Sequence, residues 1–252
     1  MNPPENKKQV ALVTGGSRGI GRAISLRLAA TGAETIIVNY LQNDTEAEKT
    51  RNLIEANQAR CLLVKANLAY PDEIDHLFDS IKGVANHLDV FVHCAALGAF
   101  KPMIEVKPNQ WDLTMNINAR GFLLCAQKAA SMMTKNGAIV AISSLGSQRA
   151  VPHYGAMGPT KAAVESLVRY FAVELAPNGI HVNGVSGGFV ETESIKNFPD
   201  ADQLMTAAVA RTPAQRLGTP EDIAEVVMFL VSPAARWIHG QIIVADGGFS
   251  LL

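Results

Sequence analysis

Cysteine is scarce: the 252 residues hold only Cys61, Cys94 and Cys125. Three scattered thiols cannot build a disulfide framework or a metal cluster, so each reads as a small buried hydrophobe. None of the six histidines falls at metal-ligand spacing, and no metal is expected. An excess of one charge is missing too. With 22 Lys and Arg against 23 Asp and Glu, the net charge is −1. No basic field exists to gather nucleic acid or anionic lipid, which leaves a small molecule as the expected partner. No apolar run approaches the length of a membrane span, and the polar start Met1–Gln9 has no apolar core of signal-peptide length. A cytoplasmic location fits these absences. Nor does a linker-like stretch divide the chain, so 1–252, 48% hydrophobic, is expected to form a single domain.

What is present is an unbroken alternation of short β-rich runs with longer amphipathic stretches. Strands are read at Val10–Thr14, Thr35–Asn39, Arg60–Lys65, Val90–Cys94, Ala138–Ser143, His181–Val185 and Gln241–Val244. Helices are placed near 19–31, 44–57, 71–86, 108–134, 154–176, 201–210 and 220–231. Parallel strands need such crossovers. The expected fold is therefore an α/β, Rossmann-like, doubly wound seven-stranded parallel sheet with helices on both faces. Residues 186–218 carry Gly187, Gly188, Pro199 and Pro213 without clear periodicity and directly follow a strand end. Ligand crevices of open α/β sheets lie beyond the carboxyl ends of the strands, so this stretch is read as a mobile substrate lid.

The first strand runs into Thr14-Gly15-Gly16-Ser17-Arg18-Gly19-Ile20-Gly21 and then an amphipathic helix. Gly15 permits the tight turn, Gly19 lets backbone approach a pyrophosphate, and Gly21 lets the helix pack closely. The helix N-terminus adds free N–H groups and partial positive charge. At the end of the second strand, Val38-Asn39-Tyr40-Leu41 has no carboxylate to repel a 2′-phosphate, and Arg18 offers a cation. NADPH is the expected cofactor.

The spacing Thr-Gly-x-x-x-Gly-x-Gly resembles that of the short-chain dehydrogenases/reductases, and the likeness extends over nearly the whole chain. It implies cofactor contacts at Gly15, Ser17, Arg18, Gly19, Ile20, Gly21, Asn39, Tyr40, Asn67, Leu68, Ala95, Lys161, Gly187, Gly188 and Val190. Asn67 stands where the family usually has Asp at an adenine contact, and His93-Cys94-Ala95-Ala96 replaces the usual Asn-Asn-Ala-Gly. The family's catalytic Asn maps to Asn118, with Asn116 as the fallback. The family's carbonyl reducers place Tyr four residues before Lys161, but that position is Met157, whose thioether cannot donate a proton. Tyr154 lies seven residues before Lys161. A regular helix would turn both to one side, although Pro159 allows the helix to begin near Gly158 with Tyr154 in the turn before it.

Tyr-x-x-Met-Gly-x-x-Lys, with Ser143-Ser144-Leu145-Gly146-Ser147 and Asp246-Gly247-Gly248, resembles the enoyl-acyl-carrier-protein reductases, most of all the NADPH-dependent type III. The resemblance implies a cytoplasmic oxidoreductase of fatty-acid or related lipid or polyketide biosynthesis that reduces the C=C bond of 2-enoyl thioesters. Its catalytic set would be Tyr154, Lys161, Ser144 and Asn118. Tyr154 would hydrogen-bond the thioester oxygen, and Lys161 would bind the nicotinamide ribose and lower the tyrosine pKa. A substrate carried on acyl carrier protein would meet Arg149, Arg211 or Arg216, because such carriers are acidic. Relatives commonly form homotetramers, which makes the apolar end Phe249–Leu252 a candidate interface of a homo-oligomer, tetramer or dimer. Two alternatives stand beside this: a 3-ketoacyl or other carbonyl reductase using Tyr154, and a catalytically silent NADPH-binding protein.

Overall fold

The computed structural model describes residues 9–252; most of the polar start read above, Met1–Lys8, lies outside the described residues. The strands are β1 (Val10–Thr14), β2 (Thr35–Tyr40), β3 (Arg60–Lys65), β4 (Leu88–His93), β5 (Met133–Ser144), β6 (His181–Gly187) and β7 (Ile242–Ala245). They form one sheet in the order β3-β2-β1-β4-β5-β6-β7, and every neighbouring pair is parallel. This is the doubly wound Rossmann-like arrangement expected from the alternation.

Side chains of successive strand residues leave on opposite faces, so each strand feeds two cores. Leu12 packs on one side with α3 (Pro71–Lys82), α5 (Gly121–Met132) and α6 (Met157–Leu175). Its neighbours Ala11 and Val13 pack on the other with α1 (Gly19–Ala30), α2 (Asp44–Ala56) and α8 (Pro220–Leu230). In α3 the buried set Ile74, Leu77, Phe78 and Ile81 follows helical spacing. Each such side chain contributes about 1.5–3 kcal/mol through burial. Pro220 starts α8 behind a capping box in which Thr219 Oγ accepts from the Asp222 N–H and the Asp222 carboxylate accepts from the Thr219 N–H. No helix among the described residues is long and apolar enough to cross a membrane.

Three segments depart from the sequence reading. The helix expected over 108–134 is two helices, α4 (Pro108–Met115) and α5, separated by one π turn, Asn116–Arg120. Gly121 comes close to Leu68, where a Cβ would stand 3.2 Å from that side chain, and its N–H reaches back five residues to the Asn116 carbonyl. The stretch also ends sooner: Met133 already pairs with Leu88 as the start of β5. The helix expected from 154 begins at Met157 instead. His153 sits at φ +61° and Tyr154 makes an isolated parallel bridge to Lys101, so the chain before Met157 is held off the helix axis. Third, the 186–218 segment, read as lacking clear periodicity outside the helix expected at 201–210, has defined structure beyond that helix. After β6 come a 3₁₀ turn (Glu193–Asn197) and α7 (Ala201–Arg211). Its base is closed by backbone hydrogen bonds from Glu191 to Gly218 (2.8 Å) and from Gly218 to Phe189 (2.9 Å).

Candidate active site

β1 and β4 are neighbours in the sheet, but the chain leaves β1 toward β2 and leaves β4 toward β5. At such a switch point the connections diverge and open a crevice beyond the strand ends. There a cleft of about 1060 Å³ is lined by the glycine-rich turn, the ends of β2, β4 and β5, the start of α6, and the 186–218 segment.

The floor of the cleft is backbone. Gly15 has φ +63°, and a Cβ on it would stand 2.8 Å from Ala95 Cα; a Cβ on Gly21 would lie 2.2 Å from the Gly15 carbonyl oxygen. Only glycine permits both approaches. Helix α1 then begins at Gly19 with Arg18 as N-cap, which supplies no side-chain acceptor, and its first turn carries no acid. Asn43 caps α2 by accepting from the Glu46 N–H (3.0 Å), whereas α1 leaves its first N–H groups directed at the cleft. Such a terminus fits a pyrophosphate. Ser17, Gly19, Ile20, Tyr40, Asn67, Leu68, Ala95, Gly187, Gly188 and Val190 line the same cleft, as do Lys161 and Ser144. Arg18 is exposed at its mouth. Asn39 also reaches the lining, yet its side-chain amide donates to the Ala66 carbonyl (3.0 Å) and that of Val64 (3.4 Å), which ties β2 to β3. Tyr40 donates to Asp44 (2.9 Å), and Asn67 Oδ1 accepts from the Ala69 N–H (3.0 Å).

The reactive groups gather at the start of α6. Lys161 is buried and donates from Nζ to the Ile142 carbonyl (2.7 Å); burial pulls its pKa down to about 8, while the Cys94 thiolate and Glu165 would each pull it back up. Tyr154 lines the cleft from the turn before α6. Its ring stacks on Phe198 (centroids 5.8 Å, 11° between planes) and meets Phe100 at 6.0 Å. Gly146 makes room for it, since a Cβ there would touch the ring at 2.5 Å. Burial raises the Tyr154 pKa above its ordinary value, and the Ser144 hydroxyl, its hydrogen-bond partner, works against that rise. The lowering expected from Lys161 is not found; the phenol is held as a protonated donor.

Asn118 sits elsewhere than expected. It is fully buried in the π turn, behind the cleft lining. Its Oδ1 accepts from the Leu97 N–H (2.9 Å), and its amide donates to Thr160 Oγ1 (3.0 Å) and Met157 Sδ (3.4 Å). It braces the loop after β4 against the first turn of α6. Met157 is buried yet borders the cleft, seated against Gly98, where a Cβ would lie 2.4 Å from its sulfur. His93 is buried at the end of β4. Thr14 Oγ1 accepts from the N–H groups of Cys94 (3.2 Å) and Ala95 (3.3 Å), which leaves its proton for His93 Nδ1 at 3.1 Å. The ring is thus neutral, with its pKa driven down to about 3 by burial and then by Lys161. Nε2 is buried without a hydrogen-bond partner among the described residues.

Of the arginines considered for an acidic carrier, Arg216 is committed to Asp222 (2.5 and 2.9 Å). Arg149 donates to the Ser250 carbonyl, and Arg211 lies 4.9 Å above the Phe249 ring. Phe100, Phe198 and Glu165 were not anticipated. Phe198 belongs to the 186–218 segment and Phe100 to a loop, and no local pattern pairs them with Tyr154. Glu165 had a usable signal, because it stands four residues after Lys161 on one helix face.

Comparison with known proteins gives the family to which this chain is similar. Residues 15–250 match the family model described as enoyl-(acyl carrier protein) reductase. A 1-cyclohexenylcarbonyl-CoA reductase of Streptomyces collinus is 40% identical over 259 residues, covering 100% of this chain and 92% of its own. A 3-oxoacyl-[acyl-carrier-protein] reductase of Synechocystis is 35% identical, covering 95% and 96%. Among solved structures, a short-chain dehydrogenase from Burkholderia cenocepacia in complex with NADP superposes with a TM-score of 0.90 at 31% identity, covering 96% of this chain and 98% of that one.

Proposed function

The chain belongs to the short-chain dehydrogenase/reductase superfamily, and on that premise we propose that it reduces the C=C bond of 2-enoyl thioesters with NADPH. The observation that carries this reading is the exchange at the start of α6. The position one turn before Lys161 holds a thioether, and the phenol reaches the cleft from outside the helix, at Tyr154. The match to the enoyl reductase family model and the Streptomyces relative, named for a conjugated cyclic thioester, support the same substrate class.

NADPH, when bound, would supply a hydride for the β-carbon of the enoyl group. Charge then collects on the thioester oxygen. Tyr154, kept protonated by burial and positioned by Ser144, donates a hydrogen bond to that oxygen. Lys161 holds the nicotinamide ribose hydroxyls, and its positive charge favours the enolate. Protonation of the α-carbon from water completes the reaction. The glycine turn and the start of α1 hold the pyrophosphate, Arg18 the 2′-phosphate, and Asn118 acts from behind by fixing the first turn of α6. Phe100 and Phe198 form an apolar wall for a planar conjugated acyl group beside Tyr154. In the 186–218 segment, α7 closes over that wall as the substrate lid.

The test is NADPH oxidation with crotonyl and longer 2-enoyl thioesters, carried on coenzyme A and on acyl carrier protein, with 3-ketoacyl thioesters in parallel. Enoyl turnover is expected, falling about a hundredfold or more in Tyr154→Phe. Turnover of 3-ketoacyl thioesters alone would instead assign the carbonyl reduction named by the Synechocystis relative. NADPH binding without any turnover would assign a silent binding protein.

A further inference from the structure

One turn beyond Lys161 on α6, outside the lining of the cleft, lies a buried acid to which the proposed reaction gives no part. Glu165 is 4% exposed and follows Lys161 by one turn of α6. Its Oε1 accepts from Ser143 Oγ at 2.6 Å and from Ser147 Oγ at 2.5 Å. These serines bracket Ser144, the partner of Tyr154. Ser147 also reaches the Ser144 carbonyl (2.8 Å), and Ser144 Oγ accepts from the Gly146 N–H (3.2 Å), so the whole turn 143–147 hangs from one carboxylate oxygen. A buried carboxylate is costly in free energy unless hydrogen bonds and a nearby cation compensate it. Here two hydroxyls supply the first, and Lys161, one turn earlier on α6, supplies the second through space without a direct ion pair.

We propose that Glu165 is a positioning residue: its carboxylate holds the Ser143–Ser147 turn against α6 and sustains the positive charge with which Lys161 grips the cofactor ribose. Other titratable groups facing Lys161 are Cys94 and His93, both from the end of β4. Burial pushes the Cys94 thiol up to about 11 and holds His93 neutral, so neither offers a counter-charge near neutral pH. Glu165 fills that role alone among these groups. The inference rests on Lys161 as a cofactor-binding group and is independent of whether the substrate is an enoyl or a keto thioester.

The experiment is the Kd of NADPH, followed by fluorescence from pH 6 to 9 without acyl substrate. In the native protein binding is expected to weaken as pH rises through about 8, the value to which burial pulls the Lys161 pKa down. Glu165→Gln keeps a hydrogen-bonding group and removes the charge, so that weakening moves to lower pH. At pH 8 the Kd is expected to rise about fivefold over native, the change in charged fraction produced by a drop of about one pKa unit, with no difference at pH 6. Ser147→Ala loosens the turn and keeps the charge; its pH course should match native while turnover falls. A Gln variant whose course superposes on native overturns the proposal, as does a Ser147→Ala variant that shifts equally. Should the Gln variant not fold, Glu165→Asp, which retracts the charge, must give a smaller shift in the same direction, and a folded Asp variant with the native course overturns the proposal too. Absence of NADPH binding in the native protein would mark failure of the underlying cofactor assignment.

Discussion

Single residues decide which cofactor enters and at what pH the fold survives. Arg18 stands at the mouth of the cleft, and the β2 end presents Asn39 and Tyr40 where a carboxylate would reject a 2′-phosphate. Arg18→Ala is therefore expected to raise the Kd of NADPH about tenfold or more and leave that of NADH nearly unchanged, as titration of both cofactors will show. His93 acts on stability. Its pKa in the fold, about 3, lies below the ordinary 6.5. Between those values the unfolded chain takes up a proton that the folded one refuses. This group's contribution is complete above pH 6.5 and is lost as pH falls toward 3. The fall of Tm between pH 7 and pH 4 should be shallower in His93→Asn than in the native protein; equal slopes would show that the ring is not the group responsible. At this scale the sequence was legible where a motif fixes spacing, as for Gly15, Gly21, Tyr154 and Lys161. It was not legible where chain-distant side chains meet, as Phe100 and Phe198 do at 4.5 Å.

Among the elements, the break between α4 and α5 does the most for the site. The apolar period runs from Trp111 to Cys125 without a proline, so a continuous helix was the natural reading. The π turn is set by contacts that no local pattern records: Asn118 reaching Leu97 and Thr160, and Gly121 pressed against Leu68. Asn118→Ala removes the acceptor of the part-buried Leu97 N–H and the donor to the buried Thr160 hydroxyl, which keeps only the Met157 carbonyl. A loss of about 1–3 kcal/mol in denaturant unfolding is expected. The start of α6 was better marked. Pro159 suits a first helical turn, and the helix indeed begins two residues before it. Strands were the most readable elements because their β-branched runs are bounded by turn residues, although β5 takes in Met133–Gly137, whose polar residues hid its beginning.

On the scale of the whole molecule, the unbroken alternation of strand and helix left little choice but a doubly wound parallel sheet, and the strand order bears this out. The crevice at the β1–β4 junction follows from that order alone, whatever side chains line it. The same order also governs how the chain assembles. β2 joins β1, β3 joins β2, β4 takes the other side of β1, and β5, β6 and β7 follow outward in turn. No strand has to insert between two that are already paired. Each addition uses an edge that is open when the segment becomes available, and only the passage from β3 across to β4 skips over strands already laid down. Loop-closure entropy grows slowly with length, so that one longer passage adds little. A ribosome releasing this chain from its N-terminus therefore allows the sheet to grow from the middle toward both edges as synthesis proceeds. The two walls of the crevice meet only after the fourth strand has emerged.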